Sequence, residues 1–475
     1  MGGRPQWRSA VWSFSRKWAP AFWSIFQPMR VFVLSIFNVV TQTLRLIAWD
    51  RSIPSAGASL LGGFLQGATG RIAVIASGAA TNVLLARALG PMDRGDFALA
   101  LFVFALTTAM VSFGAAEASV RLLGLRQWAS QDVFVTSIWL GVVSGFVGAV
   151  GLAVIPALVA PDSFPSYATL LLAAGVLPTV INLHLRHQFL GWGRVGLFTL
   201  GAVADAVSLL VCLAVVGLTG NMNTTTAALA VVCASLLSLL THGWLAYGAG
   251  QALRGVWQAA IARKSVGIGA ALVTASLAGL LTQRIVLFVL HAERGSAEVG
   301  EFVVAQAIPA LLASIATLYA VVVYSRASAS ADNLEVRELT YSALRQSMLI
   351  GFIASLPVAL APRLLIVAIF GEPYAQAAMT LVVLTFATLI SGAGNILFNA
   401  LAGRGHEKVA YGSALLSTGV IVATATLLTP ATGGVGAAFA NVAGASAGTV
   451  YAYLRFRDAL RDSPNEPVAV HINSN

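Results

Sequence analysis

The sequence predicts an all-α membrane protein of about 12 transmembrane helices, arranged as two six-helix lobes around a central cavity. Three observations lead to this fold class. Hydrophobic residues make up 58% of the chain and charged residues only 10%, whereas a soluble protein carries roughly 25% charged residues. The apolar residues form runs of about 20, the length that crosses a bilayer as a helix. In addition, one polar turn in the first half of the chain has a counterpart in the second half.

This repeated turn reads ARALGPMDRGDF at 86–97 and HAERGSAEVGEF at 291–302. An offset of 205 positions aligns both glycines, the acidic residue and the phenylalanine of the two copies. One helix further along, the same offset aligns Arg121 with Arg326. Each copy lies between two long apolar runs. A fixed offset between segments in the same setting indicates an internal duplication.

The first 56 residues are basic and rich in tryptophan, with seven Lys or Arg, five Trp and one acidic residue. We predict that 1–56 is a cytoplasmic and interfacial segment. Within it, residues 31–49 form an amphipathic helix on an anionic leaflet, with the Trp side chains at headgroup depth. A thirteenth span over 31–49 is the alternative.

Twelve apolar runs follow this segment. The predicted spans are approximately 60–85, 97–119, 134–158, 167–185, 195–217, 226–247, 266–290, 303–323, 345–361, 376–398, 409–428 and 435–454. The breaks between them contain Gly- and Pro-rich turns such as GPMDRG and TPATGG. The spans define an N-lobe at 57–247, a cytoplasmic linker at 248–265, a C-lobe at 266–454 and a cytoplasmic tail at 455–475.

The basic residues predict the orientation in the membrane. With a cytoplasmic N-terminus, 22 of the 28 Lys and Arg residues fall in inner segments and four in outer loops. This bias follows the positive-inside rule, so both termini are expected on the cytoplasmic side of the membrane and the number of spans is even. Each lobe has six spans, so the two lobes have the same orientation and form a parallel repeat.

Several function classes are disfavoured. The net charge of +10 follows from topology and does not indicate nucleic-acid binding. The predicted loops are short, and the sequence contains no Walker A, HExxH or serine-elbow motif in a suitable context. Cys212 and Cys233 lie inside apolar runs and have no metal or disulfide spacing. We therefore expect no catalytic residues, no metal site, no cofactor and no enzymatic activity.

Two arginines inside predicted spans are the main candidate binding residues. Arg71 lies near the middle of the first span, and Arg284 lies beside Gln283 in the outer half of the seventh. A charge inside a span is costly and normally faces a cavity or a partner. A guanidinium stays charged when desolvated and binds phosphate through two hydrogen bonds. Arg71, Arg284 and Gln283 are therefore predicted to line a cavity for an anionic headgroup.

Other readings of these arginines remain open. Arg284 is close enough to the surface to extend its charge to the headgroups, and Arg71 is placed to pair with Asp205. Asp205, in the fifth span, is either a proton or cation relay or the partner of an arginine. Glu117 is expected at an inner helix end, paired with Arg121 four residues on.

The remaining intramembrane polar residues are weaker candidates. Asn395 and Asn399 lie one turn apart in the tenth span and are candidate sugar contacts, with hydrogen bonding between helices as the alternative. Asn441 in the twelfth span has the same two readings. The sequence contains four histidines near inner span ends, to which we assign solvated or capping roles: His184, His187, His242 and His406.

Several segments resemble a known family. The segments LLARALGPMDRGDFALAL and VSFGAAEASVRLL resemble the first helix pair of polysaccharide flippases, although Phe97 stands where Tyr is common. These flippases belong to the multidrug/oligosaccharidyl-lipid/polysaccharide exporter (MOP) superfamily. The second-half segments VGEFVVAQAIPALLASI and LLIVAIFGEPYAQAAMTLVVL are also similar to family patterns, and the likeness covers about residues 57–457.

The resemblance implies two lobes that open a central cavity alternately to either side. It implies a cargo of undecaprenyl-pyrophosphate-linked oligosaccharide, moved from the cytoplasmic to the outer leaflet for polysaccharide biosynthesis. The expected partners are membrane lipids and the polysaccharide polymerase and export proteins, and the coupling ion, if one is used, is a proton or sodium. Two alternatives are a cation-coupled drug exporter of the same superfamily and a membrane polysaccharide polymerase or ligase.

Overall fold

The computed structural model describes residues 60–159, 166–250, 254–330, 332–406 and 408–459. The predicted interfacial segment at 1–56 and most of the predicted tail lie outside these residues. The described residues contain helices and no strand.

The α-helices, in chain order, are α1 (Leu60–Ser112), α2 (Ala115–Leu125), α3 (Ser130–Val159), α4 (Ser166–Gly191), α5 (Val195–Leu218), α6 (Thr224–Gly248), α7 (Ala259–Arg294), α8 (Ser296–Ala329), α9 (Asn333–Leu360), α10 (Pro362–Phe370), α11 (Ala378–Gly403) and α12 (Lys408–Ala459). A short 3₁₀ helix, Glu372–Ala377, joins α10 to α11.

Two of the longest helices are broken by a glycine. The backbone of Gly90 in α1 has φ 73° and ψ 174°, and that of Gly433 in α12 has φ 59° and ψ −135°. A residue with a side chain rarely adopts such positive φ values. Helix α12 therefore accounts for two of the predicted spans, and α1 for the first and most of the second, whose predicted end at 119 is wrong because α1 ends at Ser112.

Nine helical stretches of the described chain are long and apolar enough to cross a membrane. Helix α7, Ala259–Arg294, is not among these nine but covers the predicted seventh span. Many large apolar side chains on these helices are exposed, including Phe146, Leu240 and Leu427. Lipid tails are as apolar as leucine, so such a surface suits a bilayer. The protein is a polytopic, all-α membrane protein.

The chain forms two compact units. The first contains the residues up to Leu89 and Val111–Ala270, and the second contains Gly90–Met110 and the residues from Ala271 onward. The division after Ala270 lies close to the predicted lobe boundary. Residues 90–110, however, group with the second unit. The lobe limits drawn from the sequence stay a prediction.

In the first unit, α4 packs against its neighbours through glycines. A Cβ at Gly145 of α3 would lie 3.0 Å from the Leu177 Cα, so the two helices approach closely there. Close approach through glycine is typical of transmembrane helix pairs. At the predicted inner end of α4, Phe189 is fully buried in a cluster with Phe134 and Leu245.

The segment between α6 and α7 is shorter than the predicted linker at 248–265, because α7 already begins at Ala259. It is bound to the start of α3. The Asp132 carboxylate accepts a hydrogen bond from the Val256 backbone N–H at 2.8 Å. The Thr136 hydroxyl accepts one from the Gln258 N–H at 3.1 Å.

In the second unit, α8, α11 and α12 enclose the core. A Cβ at Gly392 of α11 would lie 2.8 Å from the Ala316 Cβ of α8. The buried cluster around this contact includes Val323, Ile396 and Phe456. Within lipid no hydrophobic effect drives helices together, so their association depends on close van der Waals packing. Small residues allow that close packing.

Candidate functional site

A run of polar residues occupies the predicted inner end of α4. Each of them contacts a neighbouring element of the first unit or lies beside one that does. The run consists of Asn182, His184, Arg186, His187 and Gln188. These residues make α4 the centre of a polar cluster inside an otherwise apolar bundle.

The strongest contact of this cluster is an ion pair between α4 and α5. Arg186 Nη1 donates to Asp205 Oδ2 at 2.9 Å. The two side chains are 25% and 33% exposed, so the pair is partly withdrawn from solvent. Arg186 also lies over the Phe198 ring, 5.5 Å from its centroid. Pairing lowers the cost of placing each charge within the membrane.

Helix α6 completes the surroundings of Asp205. Ser238 Oγ donates to Asp205 Oδ1, and His242 Nδ1 lies 3.9 Å from the same oxygen. His242 is fully buried, and its ring stacks on Phe189 with 6.3 Å between centroids. The carboxylate therefore has polar contacts with α4 and α6 at once.

A glycine makes room for this arrangement. A Cβ at Gly201 of α5 would lie 2.6 Å from His242 Nε2 and 3.4 Å from Arg186 Cγ. Any larger residue would collide with the imidazole. Gly201 therefore allows α5 and α6 to approach closely, with His242 Nδ1 bound to the Ser238 carbonyl at 2.8 Å and 3.9 Å from Asp205 Oδ1.

The other polar residues of α4 bind α2, α3 and α6. His184 Nδ1 and the Ser137 hydroxyl are 2.9 Å apart, and Gln188 Nε2 donates to Ser119 Oγ at 2.8 Å. Asn182 Nδ2 donates to a backbone carbonyl of α6, that of Ser235, at 2.9 Å. Buried polar groups of this kind are hydrogen-bonded because an unmade bond is costly in a low dielectric.

The cluster corrects several predictions from the sequence. The apolar pattern places Arg186 in an inner loop, but it lies within α4. His184 and His242 are predicted to have solvated or capping roles, but both are fully buried, so neither is solvated. Glu117 is predicted to pair with Arg121. Its carboxylate instead lies nearest His187, with 3.9 Å between Oε1 and Nε2.

The structure also decides which arginine pairs with Asp205. The partner is Arg186 and not Arg71. The side chain of Arg71, on α1 in the first unit, is exposed. The preceding residue, Gly70, packs against Thr199 of α5 so closely that a Cβ would overlap its methyl group. A relay role for Asp205 stays a prediction.

Arg284 lies in the second unit, on α7. Its Nη1 donates to Gln306 Oε1 of α8 at 3.0 Å, while the neighbouring Gln283 is exposed. This bond joins the Arg284 guanidinium of α7 to α8. Arg71 and Arg284 belong to different units, so a cavity shared by Arg71, Arg284 and Gln283 stays a prediction.

Arg94 is another correction. The sequence places it in an outer loop, but it is buried in the second unit with 4% of its surface exposed. It interacts electrostatically with Tyr374 and with Arg284. Only its position beside Gly95 in the repeated turn could have suggested this, because Gly95 packs so closely on Ser296 that a Cβ would overlap the Ser296 carbonyl oxygen.

The two candidate sugar contacts on α11 bind each other. Asn399 Nδ2 donates to Asn395 O at 2.8 Å and to Asn395 Oδ1 at 2.9 Å. Asn441 Nδ2 donates to the Ala437 carbonyl of its own helix at 3.0 Å. All three hydrogen bonds lie within a single helix, so they do not support the alternative that these asparagines join neighbouring helices. Their role as sugar contacts stays a prediction.

Comparison with known families places this geometry in context. A family described as polysaccharide biosynthesis protein matches residues 84–395, more than half of the chain. The chain belongs to this family. A search of curated proteins found no match.

Solved structures show the fold of this family member. It is similar to an inward-facing multidrug resistance MATE family transporter of the MOP superfamily, with a TM-score of 0.71 and 16% identity, covering 81% of this chain and 94% of that one. The lipid II flippase MurJ in an inward closed conformation matches with a TM-score of 0.65 and 12% identity, covering 83% and 87%. A MOP superfamily transporter from Pyrococcus furiosus, whose binding pocket has reverse polarity, matches with a TM-score of 0.60 and 16% identity, covering 84% and 94%.

The resemblance to polysaccharide flippases of the MOP superfamily is therefore confirmed. This polysaccharide biosynthesis protein is a multi-pass membrane protein whose fold is similar to that of MOP superfamily proteins. The polar cluster around α4 and the Arg284–Gln306 pair lie among its apolar helices, where polar and charged side chains are costly unless they are paired.

Proposed function

We propose that the protein is a flippase for undecaprenyl-pyrophosphate-linked oligosaccharide, moving it from the cytoplasmic to the outer leaflet of a bacterial inner membrane. The observation that carries the proposal is the match to a polysaccharide biosynthesis family in a chain with a MOP transporter fold. The similarity to a lipid II flippase adds support, because that protein's name describes a lipid as the substrate.

Arg71 and Arg284 would bind the pyrophosphate of this cargo. Arg284 is held by Gln306 at 3.0 Å with further donors available, and Gln283 beside it is exposed. Charge-assisted bonds from guanidinium to phosphate oxygens are about twice as strong as neutral hydrogen bonds. Asn395 and Asn399 are the candidate contacts for the sugar.

Transport would follow alternating access, driven by differential binding of the cargo to the two states. The membrane potential supports the proposed direction, because the cytoplasm is negative and the pyrophosphate is an anion. At about 2.3 kcal/mol per charge and 100 mV, moving two negative charges outward gains about 4–5 kcal/mol. Asp205 is held by Arg186. We therefore favour the potential over protonation of Asp205 as the energy source, with a proton or sodium gradient as the alternative.

The surrounding biology follows from this assignment. Both termini would be cytoplasmic, and a polysaccharide polymerase and export proteins would receive the flipped unit at the outer leaflet. The protein itself would carry out no catalytic step. The competing function is export of amphipathic drugs, which the similarity to a multidrug transporter favours.

The test is a leaflet assay of lipid-linked oligosaccharide in cells that lack the gene. Build-up in the cytoplasmic leaflet, relieved by the wild-type protein, is expected. Arg71→Ala and Arg284→Ala proteins that insert normally are expected to relieve it poorly. Arg363→Ala removes an arginine from an exposed pair with Glu372 and is expected to act as wild type.

Each other result has a clear meaning. Full relief by both cavity variants would leave flipping in place but remove the cationic cavity. A deletion strain without build-up, but with raised drug sensitivity, would favour the exporter.

A further inference from the structure

The segment between α6 and α7 lies at a predicted membrane boundary of the first unit. Asp132, just before the predicted third span, accepts hydrogen bonds from the Val256 N–H at 2.8 Å and from Gln258 Nε2 at 2.5 Å. Thr136, just inside that span, accepts one from the Gln258 N–H at 3.1 Å. The two acceptors are about 6 Å apart along α3, at 1.5 Å per residue. Residues 256–258 are therefore at the level where α3 leaves the apolar part of the bundle.

The same segment is fixed on α3 through its backbone and presents apolar side chains outward. A Cβ at Gly255 would overlap the Gln131 carbonyl oxygen, so the two chains are in direct contact there. The next two residues, Val256 and Trp257, are 68% and 44% exposed. Tryptophan is enriched at the headgroup level of membranes, because its ring is apolar and its N–H is polar. An exposed tryptophan held at this level is suited to contact with headgroups.

Basic side chains lie at the same level. Arg263 and Lys264 of α7 come just before the predicted seventh span, about 3–5 Å from its boundary along the helix. Lys264 Nζ donates to Gln127 Oε1 at 2.9 Å and lies 4.8 Å from the centroid of the Trp128 ring. These contacts join the start of α7 to the turn between α2 and α3. We call the exposed residues of this region the linker surface: Arg126, Arg254, Val256, Trp257, Arg263 and Lys264.

The charge of the linker surface is not balanced by acidic residues. Residues 121–135 and 254–268 contain five basic residues and one acidic residue, Asp132, whose two carboxylate oxygens bind the segment itself. In the second unit, residues 326–345 contain three basic and three acidic residues. Both regions are predicted to be cytoplasmic. Topology therefore explains basic residues in each region, but not the excess in the first.

We propose that the linker surface binds anionic phospholipid headgroups of the cytoplasmic leaflet. Its guanidinium and ammonium groups bind the headgroup phosphates, and Val256 and Trp257 insert at the boundary between headgroups and acyl chains. Because Asp132 and Thr136 fix the segment on α3, this binding holds the starts of α3 and α7 at one depth. The inference rests on the predicted orientation of the chain and does not depend on which cargo is moved.

The first experiment measures which lipid lies beside the linker surface. Full-length protein carrying Cys212→Ala, Cys233→Ala and Val256→Cys is labelled with a fluorophore and reconstituted in phosphatidylcholine vesicles. Brominated phosphatidylglycerol or brominated phosphatidylcholine is included at equal mole fractions, and the quenching of the label gives the relative binding constant of the two lipids. Each basic group near an anionic surface contributes about fivefold in affinity, so a preference of about tenfold or more for phosphatidylglycerol is expected.

Two charge variants test which residues produce this preference. The linker variant is Arg254→Gln/Arg263→Gln/Lys264→Gln. The control variant, Arg326→Gln/Arg337→Gln/Arg345→Gln, removes the same charge from exposed positions in the balanced region. The linker variant is expected to reduce the preference to about twofold or less, and the control variant is expected to keep the wild-type preference.

Three results would overturn the proposal. The first is equal binding of both lipids beside the label in the wild-type background. The second is an unchanged preference in the linker variant. The third is an equal loss in both variants, which would show an effect of net charge alone. If the linker variant does not fold, Arg254→Gln/Arg263→Gln provides the same comparison and leaves the bond between Lys264 and Gln127 intact.

A second experiment measures the depth of the segment. Leu334→Cys is the matched position, since Val256 and Leu334 are 68% and 67% exposed. Leu334 lies about 16 Å along α9 from the predicted start of the ninth span at 345. In vesicles that contain phosphatidylglycerol, aqueous iodide is expected to quench the label at 256 at least about fivefold less than the label at 334.

Equal quenching by iodide at the two positions would refute membrane contact of the linker surface. A label at 256 that iodide quenches in vesicles but not in native membranes would assign the surface to a protein partner and overturn the proposal. Shielding from iodide combined with a preference for phosphatidylglycerol is the result that supports it.

Discussion

The ion pair between Arg186 and Asp205 offers the sharpest test of the structure, because the chain contains a matched exposed pair. Arg186 Nη1 and Asp205 Oδ2 are 2.9 Å apart with side chains 25% and 33% exposed. Arg363 Nη2 and Glu372 Oε1 are also 2.9 Å apart, but their side chains are 71% and 67% exposed. The two pairs have the same chemistry and distance and differ in burial.

Burial decides the expected magnitude. Removing one partner of a fully buried pair costs about 3–5 kcal/mol, and an exposed pair contributes about 0–1 kcal/mol. The partly buried pair lies between these limits, so Asp205→Asn or Arg186→Gln should lower the free energy of unfolding by about 2 kcal/mol. The double variant should cost little more than either single one, because no unpaired charge remains.

The assay is a double-mutant cycle on the full-length protein, with unfolding by a denaturing detergent followed by circular dichroism. A coupling energy of about 1–2 kcal/mol is expected for Arg186 and Asp205, and below about 0.5 kcal/mol for Arg363 and Glu372. Equal coupling energies for the two pairs would refute the argument that α4 and α5 hold this charge pair away from solvent.

Two further predictions concern close contacts. Gly201→Ala should lower the free energy of unfolding by about 1–3 kcal/mol through its collision with His242, while Gly243→Ala, where a Cβ meets no atom within 4 Å, should have little effect in the same detergent titration. Glu298→Ala removes the carboxylate that accepts a hydrogen bond from the Gly434 N–H at 2.7 Å. Amide exchange at Gly434 should therefore become about tenfold faster. Exchange at the wild-type rate would show that this bond does not stabilise the kink of α12 at Gly433.

The helices were predictable because the bilayer imposes a simple length rule on apolar sequence. The predicted breaks at GPMDRG and TPATGG coincide with the kinks at Gly90 and Gly433. The ends of helices were less predictable. Helix α7 begins at Ala259, earlier than the predicted span, because a helix can extend past the membrane without any change in hydropathy.

The polar cluster was only partly predictable. Asp205 stands out as a charge inside an apolar run, and an arginine partner is one of its two expected roles. The sequence suggests Arg71 as that partner, because it is another intramembrane charge. Arg186 is not predicted as the partner, because it follows the last apolar residues of the fourth span and the hydropathy pattern therefore assigns it to a loop.

Sequence alone determined what depends on local composition and on duplication. It predicted the membrane class, the order of the apolar helices, the repeated turn and the resemblance to polysaccharide flippases. Only the tertiary structure decided which side chains meet. The pairing of Asp205 with Arg186, the burial of His242 and the reciprocal contact of Gly95 with Gly300 all depend on how closely two helices approach. That distance is set by glycines on one helix and by the groups that face them on another helix. These two sets of residues are far apart in the sequence, so no single stretch of it shows the contact.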